Sequence, residues 1–389
     1  YRGGPGMKSA RPKILLDALA ARAPMTGVGW SMVELVGALS GQGGDRDWFL
    51  ATADPDLFPQ VSNRPDWTVV EVRPRGPAFI SRVIDSQITL PNLAKSLGVD
   101  LLHSLTIPPP WRAPCPVVAT VHDIAYHHYP HTVPYLRRQW YRLALPRGIA
   151  AAARVVTNSE TTAHEVREHF QVNADKVVTT PFGTPTWVLN RPDSGPSPHN
   201  SPFLFVGALE PRKNLLNLLK AVRILHAELE AGDQPVSGPI LRVVGAAGWQ
   251  NKEILASLRT MSEEGLVCLE KHCDRDELWK ILISARGLLI PSLHEGFGFP
   301  ILEAMAAGRP VLTSDRGAMK EISGNAALRV NPEDPQDIAR GMSRLWHDQE
   351  LVTSLVKSGY DQYRHWSWER TAVATIQVYD DVIAESRRS

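Results

Sequence analysis

Short β-branched runs alternate with longer stretches of helical period along the whole chain. This pattern constrains the fold more than any other feature, because it is satisfied when successive strands lie parallel and crossover helices cover the sheet. In the first half, strands are expected at 13–19, 48–52, 67–72, 101–104, 117–122, 155–158 and 177–180, with helices between most of them. A run of breakers from Asn190 to Asn200, without apolar period, then reads as a linker. Beyond it the pattern restarts, with strands at 203–207, 241–245, 266–269, 287–290 and 311–314 and helices at 215–229, 278–285 and 300–307. After Pro335 the chain reads as helical almost to its end, broken near 365–368.

A chain of 389 residues exceeds what one core organises, so two α/β units facing each other across a cleft are expected. The expected division is 7–190, a linker at 191–200, a second domain at 201–365, and a closing helix at 366–389 that crosses back to the first domain. The first six residues precede Met7 and read as an expression remnant. A net charge of +1 argues against nucleic acid as a partner. Cys115, Cys268 and Cys273 give neither a disulfide framework nor paired metal spacing, which suits a reducing cytoplasm. No apolar run is long enough to span a bilayer, and no secretory leader is evident.

The loop after the strand at 287–290 carries the densest chemistry. Pro300 suits a first helical position, and Gly308-Arg309-Pro310 a stop. The preceding Gly296-Phe297-Gly298-Phe299 offers no Ser, Thr, Asp or Asn to cap the free amides. Those amides and the helix dipole suit a phosphate or sugar oxygen, and Glu295 and Glu303 flank them with two carboxylates. Alone, this could equally be a tight turn with solvated glutamates.

A second segment places Arg212 and Lys213 before a helix that Asn214 is positioned to cap, where two cations would neutralise a diphosphate. Thr26-Gly27-Val28-Gly29-Trp30 follows the first strand, with Ser31 and Glu34 at capping-box spacing. It lacks the third small residue of a dinucleotide fingerprint. His122 and Asp123 end the fifth strand, followed by His127, His128 and His131. Their spacing matches no zinc pattern, so no metal is expected. The basic and aromatic run 135–142 fits a solvated helix with core contacts, and an interfacial helix would look similar.

The stretch from Pro291 through His294-Glu295-Gly296-Phe297-Gly298-Phe299-Pro300 to Gly308 resembles the signature of the retaining family-four glycosyltransferases of GT-B fold, also called glycosyltransferase group 1. The resemblance spans nearly the whole chain and is tightest in the second half. It implies two Rossmann-like domains, the first on the acceptor side and the second holding a nucleotide-sugar donor. It casts Glu295 on donor-sugar hydroxyls, Glu303 on the ribose, and Gly296, Phe297 and Gly298 as the source of amides for sugar and phosphate. Gly207, Arg212 and Lys213 take the phosphate segment, although Ala208 stands where many members have arginine. Gly29 takes the loop that closes on the donor phosphates, and His122 a place near the sugar C6 hydroxyl. His272 falls where relatives hold the base, but Glu270-Lys271-His272 replaces their Gly-Tyr-Val and leaves the base open.

The resemblance further implies metal-independent, retaining transfer of a hexose with no cofactor, by a front-face route. GDP-mannose is the first expectation for the donor and a UDP-sugar the second. The acceptor is expected to be a glycan or lipid-linked intermediate of polysaccharide biosynthesis. The expected location is cytoplasmic, at the inner face of the membrane if a weak peripheral association exists. A nucleotide-sugar 2-epimerase, or a non-catalytic glycan- or nucleotide-binding module, is the alternative. A dehydrogenase is disfavoured by the glycine spacing.

Overall fold

The computed structural model describes residues 11–388 except 24, 131–132, 193–194, 196–198, 200, 233–237, 247, 249–250 and 271–272. Seven strands form the first sheet: β1 Lys13–Asp17, β2 Asp47–Thr52, β3 Trp67–Glu71, β4 Leu101–Ser104, β5 Val117–Val121, β6 Arg154–Thr157 and β7 Val177–Thr179. Six form the second: β8 Phe203–Val206, β9 Leu241–Val244, β10 Val267–Glu270, β11 Leu288–Ile290, β12 Val311–Ser314 and β13 Leu328–Val330. The orders are β3-β2-β1-β4-β5-β6-β7 and β10-β9-β8-β11-β12-β13, and the pairings are parallel. Helices cover both faces, so strand residues are apolar on both sides: Ile14, Leu15 and Leu16 are fully buried, as are Leu288, Leu289 and Ile290. This is the GT-B arrangement of two Rossmann-like domains.

Strand order reverses between β1 and β4 in one sheet and between β8 and β11 in the other. The crevices outside the carboxyl ends of strands at such switch points are where open α/β sheets bind ligands. The loops after β1 and β5 therefore face those after β8 and β11. The short edge strand β13 was not expected from the sequence. It is three residues long and exposes Arg329, too little for a periodic signal.

The last helix, Trp368–Ser386, packs against the first, Gly27–Gly41. Its Tyr379 hydroxyl meets His103 Nδ1 at 2.5 Å, and His103 Nε2 meets Thr120 Oγ1 at 2.8 Å. Burial pushes the His103 imidazole down to about 3, so it is neutral. Arg46 pairs with Asp380 at 2.7 Å beside it. The domains also meet directly. The Glu321 carboxylate accepts from the Glu160 and Thr161 amides at 2.8 and 2.9 Å, capping the helix Glu160–Phe170 from the opposite domain.

The capping box expected from Ser31 and Glu34 does not form. The first helix starts earlier, at Gly27, because Thr26 sits in the extended region and its Oγ1 accepts from Gly29 N at 3.2 Å. Ser31 bonds back to Val28 O, and Glu34 accepts from Thr186 across the domain. Among the described residues no helix is long and apolar enough to cross a membrane. All three cysteines are free thiols.

Candidate active site

The loop after β11 delivers its residues to the cleft through its glycines. Gly298, at φ +117°, is the N-cap of the helix Phe299–Ala306 and offers no side-chain cap, so the uncapped end inferred from the sequence is present. Gly296 lies against the first domain. A Cβ there would sit 1.8 Å from the His122 carbonyl oxygen, and the Gly296 carbonyl accepts from Ser159 Oγ at 2.9 Å. Only glycine permits this approach, so Gly296 serves domain contact as well as backbone freedom. The Phe297 side chain is buried among Phe182, Phe299 and Trp366, leaving only its backbone for a ligand.

Glu295 is the hub. It accepts from Arg212 Nη1 at 2.7 Å, from Ser292 Oγ at 2.9 Å and from Lys213 Nζ. Burial works against its charge, but Lys213 and Arg212 outweigh that and hold the carboxyl near about 2, fully ionised at neutral pH. Arg212 also donates to Glu210 at 2.6 Å and to the His294 carbonyl at 2.9 Å. Two cations and two carboxylates thus balance. Any further anion placed here would compete with Glu295 for Lys213 and Arg212.

Asn214 begins the helix Leu215–Ala231 but does not cap it with its side chain. At φ +61° its amide instead donates to Pro291 O at 2.9 Å and to Pro332 O at 2.5 Å, tying the cation loop to the Glu295 loop. Gly207 follows β8 and stands close to the Lys213 stem. A Cβ on Gly245 would come within 2.0 Å of the Gly207 carbonyl.

His122 Nε2 donates to Leu105 O at 2.8 Å, and burial keeps the ring neutral, so Nδ1 is left as the acceptor. Asp123 does not orient that ring. Its carboxylate caps the next turn, accepting from Ala125 N at 3.0 Å. Gly29 is buried in the first helix, its amide spent on Thr26, while Gly27 faces Phe299 across the cleft. His272 lies outside the described residues.

Glu303 accepts from Trp187 Nε1 at 3.1 Å. Burial raises its carboxyl to about 7, against the pull of Trp187 and Arg275. Arg275 itself lies 3.5 Å over the Trp30 ring. The sequence reading missed Ser292, Glu210, Ser159 and Trp187. Only Glu210, an acid two residues before Arg212, gave a local signal.

Two grooves open at the domain junction. The larger, about 500 Å³, is lined by Glu34, Thr186, Arg275 and Trp368 and, among the described residues, holds none of those expected at the donor. The smaller, about 190 Å³, lies between Asp123, Tyr126 and Tyr141 on one side and Glu210 and Arg212 on the other. It is the groove that abuts the charged cluster.

Comparison with known proteins now decides the family. Residues 190–362 match the group 1 glycosyl transferases, and residues 25–187 match glycosyltransferase family 4. The chain belongs to the group 1 glycosyltransferases of family 4. This glycosyltransferase is 26% identical over 385 residues to an O-antigen chain mannosyltransferase B of Escherichia coli, covering 94% of this chain and 99% of that one. It is 28% identical over 287 residues to an MMP alpha-(1->4)-mannosyltransferase of Mycolicibacterium hassiacum, covering 69% and 66% of the two. Its fold is similar to that of a sucrose-phosphate synthase from Thermosynechococcus elongatus, with a TM-score of 0.74 at 20% identity, covering 96% of this chain and all of that one.

Proposed function

We propose that this glycosyltransferase moves a mannosyl group from GDP-mannose to a glycan or lipid-linked acceptor, with retention of anomeric configuration and without a catalytic metal. The observation that carries the donor site is the convergence of Arg212, Lys213 and Glu295 beside the uncapped end of the helix Phe299–Ala306. Cleaving a sugar–phosphate bond leaves negative charge on the departing diphosphate, and two positioned cations plus free amides stabilise it where it develops. Glu295, held ionised, accepts from sugar hydroxyls. His122, held neutral, positions the reacting sugar through its free Nδ1. Glu303 takes the ribose once Trp187 gives way.

Mannose is favoured over other hexoses because both curated relatives above are mannosyltransferases. A UDP-sugar is the second donor. The acceptor binds from the side of residues 7–190, in the groove beside Asp123 and Arg212. Residues 201–365 hold the donor, the linker is at 191–200, and residues 366–389 return to the first domain.

Thermal-shift screening against GDP, UDP, ADP and dTDP tests the nucleotide, since a selective ligand raises the midpoint by mass action. A selective rise with GDP is expected. Selective stabilisation by UDP would move the assignment to the second donor, and no response to any of the four would overturn the donor site. Turnover of GDP-mannose with lipid-linked oligosaccharides, the product anomer read by NMR, then tests retention.

A further inference from the structure

Three side chains remote in sequence converge beside the charged cluster. His128 ends the short helix Ala125–His128, Glu165 lies on the helix Glu160–Phe170, and His294 precedes Glu295 in the loop after β11. Glu165 Oε1 lies 3.0 Å from His294 Nε2 and 3.5 Å from His128 Nε2. The two imidazole rings are 5.1 Å apart, and one donor atom from each of the three residues lies within 4.8 Å of the others. His294 and Glu165 expose only 11% and 16% of their side chains, and His128 exposes 38%.

As a hydrogen-bonded set, His294 Nε2 engages both Glu165 oxygens, at 3.0 and 3.2 Å, while His128 Nε2 stands farther off at 3.5 Å. As ligands they match well. Donors bound to one tetrahedral ion at 2.0–2.2 Å lie about 3.3–3.6 Å apart, close to the two separations to Glu165. Only the gap between the two imidazoles must narrow, and the half-exposed His128 is free to turn.

We propose that His128, Glu165 and His294 form a binding site for a borderline divalent transition metal of the zinc class, bridging the two domains of the glycosyltransferase. Two imidazoles and one carboxylate suit zinc or cobalt(II), whereas magnesium and calcium prefer all-oxygen sites. Two ligands belong to the first domain and one to the second, so the ion binds tightly only when the cleft is closed. By linkage it holds the cleft closed in turn. Because His294 adjoins Glu295 and its carbonyl accepts from Arg212, such closure sets the position of the donor-phosphate cluster. The role is structural, and no step of sugar transfer passes through the ion. The site's existence does not depend on which sugar is transferred.

The test is binding of zinc and cobalt(II) to the untagged chain, by equilibrium dialysis and by the visible ligand-field band of cobalt. One equivalent is expected, with a band of tetrahedral intensity that zinc displaces and a rise in thermal midpoint on adding zinc. His128→Ala and Glu165→Gln should each weaken binding at least about tenfold and abolish the zinc-dependent rise. His128→Ala removes a half-exposed side chain, and its unfolding midpoint without metal checks that the fold is kept. Absence of a stoichiometric equivalent in the wild type would overturn the proposal. So would affinity unchanged in His128→Ala, which would place the ion on other histidines.

Discussion

Glu303→Gln isolates one of the energetic tensions in the site. The Glu303 carboxyl is raised from an ordinary 4.5 to about 7, chiefly by burial, with Trp187 and Arg275 pulling it back and Glu34 adding to the rise. Between those two pH values the folded chain holds a proton that the unfolded chain has lost, so stability falls as pH rises through this window and stays lowered above it. At about 1.4 kcal/mol per pH unit the cost of ionisation is about 3 kcal/mol. This is an upper bound, because Glu303 keeps part of its surface accessible and water screens the charge. Glutamine keeps a carbonyl oxygen for Trp187 Nε1 and removes the titration. At pH 5, where only the start of that window has been crossed, the two proteins should differ by less than about 1 kcal/mol. By pH 8 the variant should be ahead by up to about 3 kcal/mol, which is at most roughly 6–12 °C for a domain of 150–250 residues. Scanning both proteins across pH cancels every other titrating group they share. A difference that did not change with pH, or that grew towards acid, would refute the reasoning.

Two further substitutions probe the cleft. Lys213→Ala should weaken binding of the nucleoside diphosphate far more than that of the nucleoside, measured by calorimetry, and equal losses would remove Lys213 from the phosphate site. Gly296→Ala places a methyl group 1.8 Å from the His122 carbonyl, so the domains must part. The scattering radius should grow and transfer should fall, whereas an unchanged radius with full activity would show that this contact is dispensable.

Much of the fold was legible in the sequence because parallel strands buried on both faces announce themselves as short β-branched runs. All seven strands of the first sheet and five of the second coincide with such runs, and β13 escaped because three residues with an exposed centre carry no period. Local signals also served where the cause is local. The missing cap before Phe299 was visible as a run of glycine and phenylalanine, and the Arg212-Lys213 pair as adjacent charges. Local spacing misled where a competing bond lay nearby or far off: Thr26 displaced Ser31 as the first helix's cap, and the Asn214 amide turned to Pro291 and Pro332 instead of capping.

The sequence by itself determined the alternation that gives two parallel sheets, and the residue types gathered at the candidate site: two cations, two glutamates and a helix end without a side-chain cap. Tertiary structure alone decided the state of that chemistry. Glu295 and Glu303 are both glutamates eight positions apart on one loop and helix, yet one is held near about 2 by two cations and the other is raised to about 7 by burial against Trp187. Charge depends on what surrounds a group in space. The partners that set it here come from the loop after β8, from the end of the first domain and, for His294, from a helix 129 residues away in the chain.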